Sequence, residues 1–101
     1  MSKALFSARA GLRGTGRGKY FRAYWPLGQL QLSAETLALS LLIARWEIPV
    51  HHVRAIQRKL FSLEITHSAK ETPNHIRVWG LGLYSRLARV IEEHQLDIEV
   101  R

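Results

Sequence analysis

The order of its hydrophobic patterns constrains the fold of this chain most strongly. Between about residues 27 and 79, short apolar runs alternate with polar residues and are separated by polar or proline-containing turns. Alternation with a period of two is typical of β-strands that have one buried face. One amphipathic pattern follows, over about residues 83–95. We therefore expect a mainly β protein with a single C-terminal α-helix.

The strand prediction depends on a series of short alternations. In residues 28–33, Leu30 and Leu32 would share one face while glutamines occupy the other. The same period recurs farther along the chain, in residues 37–41, 44–48, 63–67 and 76–78. Residues 54–60 are a more polar strand candidate. Pro49 would end the third run, because proline cannot donate a backbone hydrogen bond. These patterns predict five or six strands before the helix.

The terminal helix has the clearest pattern. Its buried stripe would consist of residues at helical spacing, namely Leu83, Leu87, Val90, Ile91 and His94. Charged residues fall on the opposite side, namely Arg86, Arg89, Glu92 and Glu93. Residues 96–101 alternate again, which permits either a short extra strand or a frayed tail, and we expect the tail.

A helical alternative exists for the middle of the chain. Ser33 could cap a helix over residues 34–46, because Ala, Leu and Glu are strong helix formers. Residues 50–61 also permit a helix. Propensity does not reject this all-α alternative, but the strand alternations explain more of the chain.

The composition is that of one small, basic domain. The 101 residues include no cysteine, which excludes a disulfide and a cysteine metal site. The formal net charge is +7, and residues 1–22 carry basic side chains without any acidic one. No segment approaches the roughly 18 apolar residues that span a bilayer, and the N-terminus lacks the apolar part of a secretory signal. We expect a cytoplasmic protein, with peripheral attachment to a membrane surface as an alternative.

Residues 1–19 are predicted to form a flexible basic arm, and residues 20–101 to form the folded domain. Several glycines lie among Arg, Ser and Thr in the arm, and glycine loses the most conformational entropy on ordering. Residues 4–10 could form a short edge strand, although their alternation is poor.

Five segments together resemble bacterial members of the PH-like (pleckstrin-homology and GRAM-like) superfamily. They are the terminal helix and the runs WPLGQLQLSAETLALS at 25–40, ARWEIPVHHVRAI at 44–56, LEITH at 63–67 and HIRVWG at 75–80. The resemblance implies a seven-stranded antiparallel β-barrel or sandwich, with one open end plugged by the helix. It also implies a non-catalytic domain that binds phosphoinositide headgroups, peptides or partner domains.

Two groups of residues are candidates for ligand contact. The first is the basic set Arg9, Arg13, Arg17, Lys19 and Arg22, whose guanidinium groups suit phosphates. The alternative for this set is a disordered, solubilising tail. The family's closely spaced phosphoinositide signature is not clearly present, so no family residues are transferred. The second group is Leu42 and Ile43, at a predicted hairpin tip without turn residues. This tip would contact a membrane or a partner, or would pack beneath Trp25 and Tyr24.

Catalytic and metal chemistry find little support in the sequence. Asp97 is the one aspartate, and it lies near the C-terminus, which leaves no basis for a Ser/His/Asp site. The five histidines lack the spacing of a zinc site. His51 and His52 are adjacent, whereas His67 and His75 could face each other across a loop. We expect no enzyme activity, no metal and no cofactor.

Three functions remain, in order of preference. The first is a PH-like adaptor domain that binds a protein partner. The second is a domain that binds anionic lipid through the basic arm and the Leu42–Ile43 tip. The third is a small, basic, helical protein that binds nucleic acid, which requires the all-α alternative. The sequence leaves the oligomeric state open.

Overall fold

Within the described residues, eight strands and one α-helix follow one another along the chain. The computed structural model describes residues 4–16, 18–42, 44–69 and 72–101. The strands before the helix are β1 (Ala4–Gly16), β2 (Lys19–Ser33), β3 (Thr36–Ser40), β4 (Arg45–Pro49), β5 (Val53–Lys59), β6 (Ser62–His67) and β7 (His75–Trp79). The helix α1 (Leu83–Glu93) and the two-residue strand β8 (Glu99–Val100) complete the chain. The expected mainly β architecture with one C-terminal helix is confirmed.

All eight strands belong to one curled sheet. Its order is β4-β3-β2-β1-β7-β6-β5-β8, and every pair is antiparallel except β5 with β8. In a flat sheet, six strand spacings would separate β4 from β5 by about 29 Å. A short 3-10 helix, Val50–His52, nevertheless joins the two strands, and so few residues span at most about 14 Å. The sheet therefore curves round its core, although no hydrogen-bonded pair joins β4 to β5 or β8 among the described residues.

The predicted alternations in the middle of the chain correspond to real strands. Leu30 and Leu32 on β2, and Leu37 and Leu39 on β3, are at most 2% exposed. The intervening turn is stabilised by Ser33, whose hydroxyl accepts a hydrogen bond from the backbone N–H of Thr36 at 3.1 Å. The helical alternative for residues 34–46 and 50–61 is therefore wrong, because paired strands place the alternating apolar side chains on one buried face, which a helix would not.

The structure differs most from the sequence prediction at residues 4–16. They form β1, which pairs with β2 on one side and with β7 on the other, so it is neither a flexible arm nor an edge strand. Ala10 and Leu12 on β1 are fully buried. A Cβ on Gly14 would overlap the ring of Phe21 on β2. Glycine therefore marks a close approach between backbone and side chain at this position, rather than flexibility.

The helix packs against β1 and β6 through one face. Three residues of the predicted stripe, Leu83, Leu87 and Ile91, are buried, whereas Val90 is only half-buried and His94 is exposed. The residues after α1 form a strand, so the expected frayed tail is wrong. Ile98 is buried, and β8 pairs with β5. The strand count before the helix is seven within the described residues, against the five or six predicted.

Candidate functional site

A bulge in β2 exposes an aromatic segment of the sheet. Ala10 pairs with Gly28 and Leu12 with Ala23, so residues 24–27 of β2 lie opposite Gly11 alone. The extra residues leave the plane of the sheet, because one partner residue cannot pair with all of them. Trp25 in this bulge is 65% exposed.

Large apolar side chains from four segments line one depression beside the bulge. They are Trp25 from the β2 bulge, Phe61 from the β5–β6 turn, Trp79 at the end of β7, and Leu81 between β7 and α1. We refer to these four residues as the apolar surface. The depression has a volume of about 490 Å³, and Leu81 is 100% exposed.

Phe61 is exposed in an unfavourable backbone conformation. Its backbone φ is 64°, in the left-handed region. A side chain with a Cβ is disfavoured in that region by roughly 1–2 kcal/mol, and glycine or asparagine is the usual residue at such a turn. Phe61 is also 83% exposed, so packing within the fold does not offset this cost.

Basic residues surround the apolar surface. A second depression, of about 290 Å³, shares Trp25 and Leu81 and is also lined by Arg9 and Arg86. A third depression shares Phe61 and is lined by Arg58 and Lys59. None of the described residues that line these three depressions is acidic. The surroundings therefore favour a ligand that carries negative charge next to an apolar group.

A separate row of three arginines crosses the outer face of the sheet. Arg13 on β1 pairs directly with Arg22 on β2 and with Arg77 on β7. We refer to these residues as the arginine row. Glu64 on β6 continues the row beyond Arg77 and lies 3.6 Å from its guanidinium. Like charges in directly opposed positions destabilise a sheet, so the packing of the fold does not explain this arrangement.

Ring-bearing side chains flank the arginine row along the same strands. Residues two apart on a strand share a face, which places Tyr20 beside Arg22 and His75 beside Arg77. Trp79, on the other side of Arg77, lines the apolar surface instead. Tyr20 and Tyr24 are more than half exposed. The Arg22 guanidinium lies 4.7 Å from the centre of the Tyr24 ring, in a cation–π contact.

The predicted basic set divides between separate places in the structure. Arg9 borders the apolar surface, and Arg13 and Arg22 belong to the arginine row. Lys19 begins β2, and its ammonium lies 5.6 Å from the centre of the Trp46 ring. Arg17 lies outside the described residues.

The predicted hairpin tip is only partly described. Leu42 is 82% exposed between β3 and β4, rather than packed beneath Trp25 and Tyr24. Ile43 lies outside the described residues. Leu42 does not line the apolar surface.

Two of the histidines make local structural contacts. His67 Nε2 lies 2.7 Å from the carbonyl oxygen of Pro73, and His52 Nδ1 lies 3.0 Å from the Ser68 hydroxyl. Within the described ranges, no group of three His, Cys, Asp or Glu side chains could hold a metal ion. No helix in those ranges has both the length and the apolar character needed to cross a bilayer.

Sequence reasoning missed Arg77, Phe61 and Leu81. The alternation of β7 placed Arg77 on the outer face. Its pairing with Arg13 depends on β1, of which only a possible edge strand over residues 4–10 was predicted. Leu60 and Phe61 lie at the junction of two strand candidates, where a turn is expected. Large apolar residues at that junction were therefore an available local signal of an exposed apolar site.

Comparisons with known proteins concern the fold alone. No family model matches the chain, and no curated protein matches it either. The structure is similar to a crystal structure of the C-terminal domain of an unknown protein from Leishmania infantum, with a TM-score of 0.56 and 13% sequence identity. The similarity covers 90% of this chain and 83% of that chain.

Proposed function

We propose that this chain is a non-catalytic PH-like domain that binds a protein partner through the apolar surface. The partner segment presents an apolar side chain, flanked by acidic residues, to the depression between Trp25, Phe61, Trp79 and Leu81. In this proposal the domain acts as an adaptor and performs no reaction of its own.

The fold supports the PH-like part of the proposal. Seven strands precede the helix within the described residues, which is the number that the sequence resemblance implies. The curled sheet and the helix packed against it are compatible with a β-barrel or sandwich plugged at one end. Leu83, Leu87 and Ile91 would then be the plug, so the helix would close the fold and leave ligand binding to other surfaces.

The observation that carries the proposal is the convergence of exposed apolar side chains. Trp25, Phe61 and Leu81 come from separate segments, and each is at least 65% exposed. Clustered apolar groups of this kind mark interaction sites, whereas scattered ones do not. Tryptophan is also enriched among the residues that contribute most of the binding energy at protein interfaces.

The charges around the apolar surface define the chemistry of the partner. Arg9 and Arg86 lie on one side and Arg58 and Lys59 on the other. Acidic residues beside the apolar anchor would face these cations, which raises the association rate and discriminates against basic partners. We therefore expect an acidic partner segment and a binding rate that falls as salt is added.

Affinity capture of a protein partner by tagged forms of the chain tests the proposal. Leu81→Asp places a carboxylate on the apolar surface, whereas Leu42→Asp makes the same change at an exposed leucine outside it. Neither side chain is part of the core, so both variants should keep the circular dichroism spectrum of the wild type. We expect a specific partner to be captured by the wild type and by Leu42→Asp, and to be lost with Leu81→Asp.

Two results would contradict the proposal. One is capture that is equally strong with Leu81→Asp and with the wild type, because the partner would then bind elsewhere. The other is a homodimer that Leu81→Asp dissociates, because a second copy of the chain would then occupy the apolar surface.

A further inference from the structure

We propose that the arginine row and its flanking rings bind single-stranded nucleic acid, at a site separate from the apolar surface. Phosphates would lie along Arg22, Arg13 and Arg77, and unstacked bases would lie against the neighbouring rings. This activity goes beyond the binding of a protein partner.

The spacing of the row fits a chain of anions rather than a single one. Adjacent strands are about 4.8 Å apart, so the three Cα positions extend over about 10 Å. Arg13, in the centre, has no ion pair among the described residues, and neither has Arg22. No described carboxylate therefore neutralises these two guanidinium groups, and both can contact successive phosphates on the exposed face of the sheet.

Among the described residues, one carboxylate borders the arginine row, that of Glu64, and it lies at the end of the row. Glu64 Oε2 lies 3.6 Å from a guanidinium nitrogen of Arg77. A strong charge-assisted hydrogen bond is shorter, at about 2.7–2.9 Å. A depression of about 240 Å³, lined in part by Arg13, Thr15, His75 and Arg77, lies beside this carboxylate. Glu64 thus holds Arg77 only weakly, and a phosphate can compete with it.

The flanking rings favour single strands over other polyanions. Aromatic rings beside a basic track are the usual platform for single-stranded nucleic acid, since every base has a face that can stack. Bases in a duplex are stacked on one another and cannot reach Tyr20 or Tyr24. An anionic lipid surface would neutralise the arginines but would offer no bases to stack on the rings.

Fluorescence anisotropy with a labelled oligo-dT of about 12 nucleotides tests this site. We expect binding at about 50 mM salt, with a log–log salt slope near −2 for three neutralised phosphates. Arg13→Gln should weaken binding about fivefold and make the slope about 0.7 less steep. Arg77→Gln should behave in the same way, whereas Arg89→Gln on the outer side of α1 removes an equal charge and should have little effect.

Two further variants separate charge from stacking. Tyr20→Ala should weaken binding about 5- to 150-fold with an unchanged salt slope. Glu64→Gln should strengthen binding, because it removes the carboxylate that competes for Arg77.

Several results would overturn the inference. One is a lack of oligo-dT binding at about 50 mM salt. Another is a loss of oligo-dT affinity in Arg89→Gln that equals the loss in Arg13→Gln. A third is a duplex of the same length that binds as tightly as the single strand. Binding to vesicles of phosphatidylserine and phosphatidylcholine without binding to oligo-dT would assign the row to membranes instead. Loss of oligo-dT binding in Leu81→Asp, with the arginines intact, would show that the two surfaces are not separate.

Discussion

Gly14 on β1 lies directly opposite Phe21 on β2, and the Phe21 ring occupies the space that a side chain on residue 14 would need. The ring cannot move aside freely, because Phe21 is buried and stacks on Trp46 with ring centres 5.6 Å apart. This contact fixes β1 in the centre of the sheet, and β1 carries Arg9 and Arg13 to the two candidate binding surfaces.

Gly14→Ala should therefore destabilise the protein by about 1–3 kcal/mol, as overpacking of a core does. Urea unfolding followed by circular dichroism measures this loss. Thr15→Ala, next to it on the outer face, should change the free energy of unfolding by about 0.5 kcal/mol or less. Equal stability of Gly14→Ala and the wild type would show that β1 is not packed as described.

Gln95→Gly should stabilise the protein by about 1 kcal/mol. Gln95 has a φ of 53° at the end of α1, and the N–H of Leu96 donates to the carbonyl of Ile91 at 3.0 Å, as in a Schellman motif. Glycine adopts this backbone conformation without a Cβ penalty. His94→Gly is the matched control, since His94 has a negative φ of −98° and glycine there should destabilise the helix end.

Phe61→Gly should raise stability while it weakens partner binding. Removal of the exposed ring costs the fold little, and glycine relieves the left-handed strain, which together should add about 0.5–1 kcal/mol. Leu60→Gly lacks the stabilising term, because Leu60 is not among the positive-φ residues. Thermal unfolding and partner capture are measured on the same samples. A parallel loss of stability and capture would make Phe61 a structural residue instead.

Arg13→Thr should raise stability at low ionic strength by about 0.2–1 kcal/mol, because it relieves repulsion with Arg22 and Arg77. The gain should disappear at high salt, where exposed charges are screened. Urea unfolding at low and high salt measures both values. Arg54→Thr, at an exposed position on β5, provides the control, and a salt-dependent gain of the same size there would argue against repulsion within the row.

Much of the fold could be predicted from sequence, because local alternation determines which residues share a buried face. Leu30, Leu32, Leu37 and Leu39 illustrate this, and so does the Leu83–Leu87–Ile91 stripe. β1 could not be predicted in the same way. A glycine at residue 14 is equally compatible, from the local sequence, with a flexible arm and with a strand packed against an aromatic ring. Only the partner strand distinguishes the two.

The binding surfaces were less predictable than the fold, since each depends on contacts between distant segments. Arg13 and Arg22 were recognised as basic candidates, but their alignment with Arg77 depends on the register of three strands. Trp25 and Leu81 are separated by most of the chain and meet only because β2 bulges beside the end of β7.

Photo-crosslinking from position 81 shows directly whether the apolar surface binds a protein partner. A photoreactive leucine analogue replaces Leu81 in one sample and Leu42 in the other, and the crosslinked peptides are identified by mass spectrometry. We expect crosslinks from position 81 to one partner protein, at an apolar residue flanked by acidic ones, and no such crosslinks from position 42. Crosslinks that form equally from both positions, or none from position 81, would contradict the proposed binding.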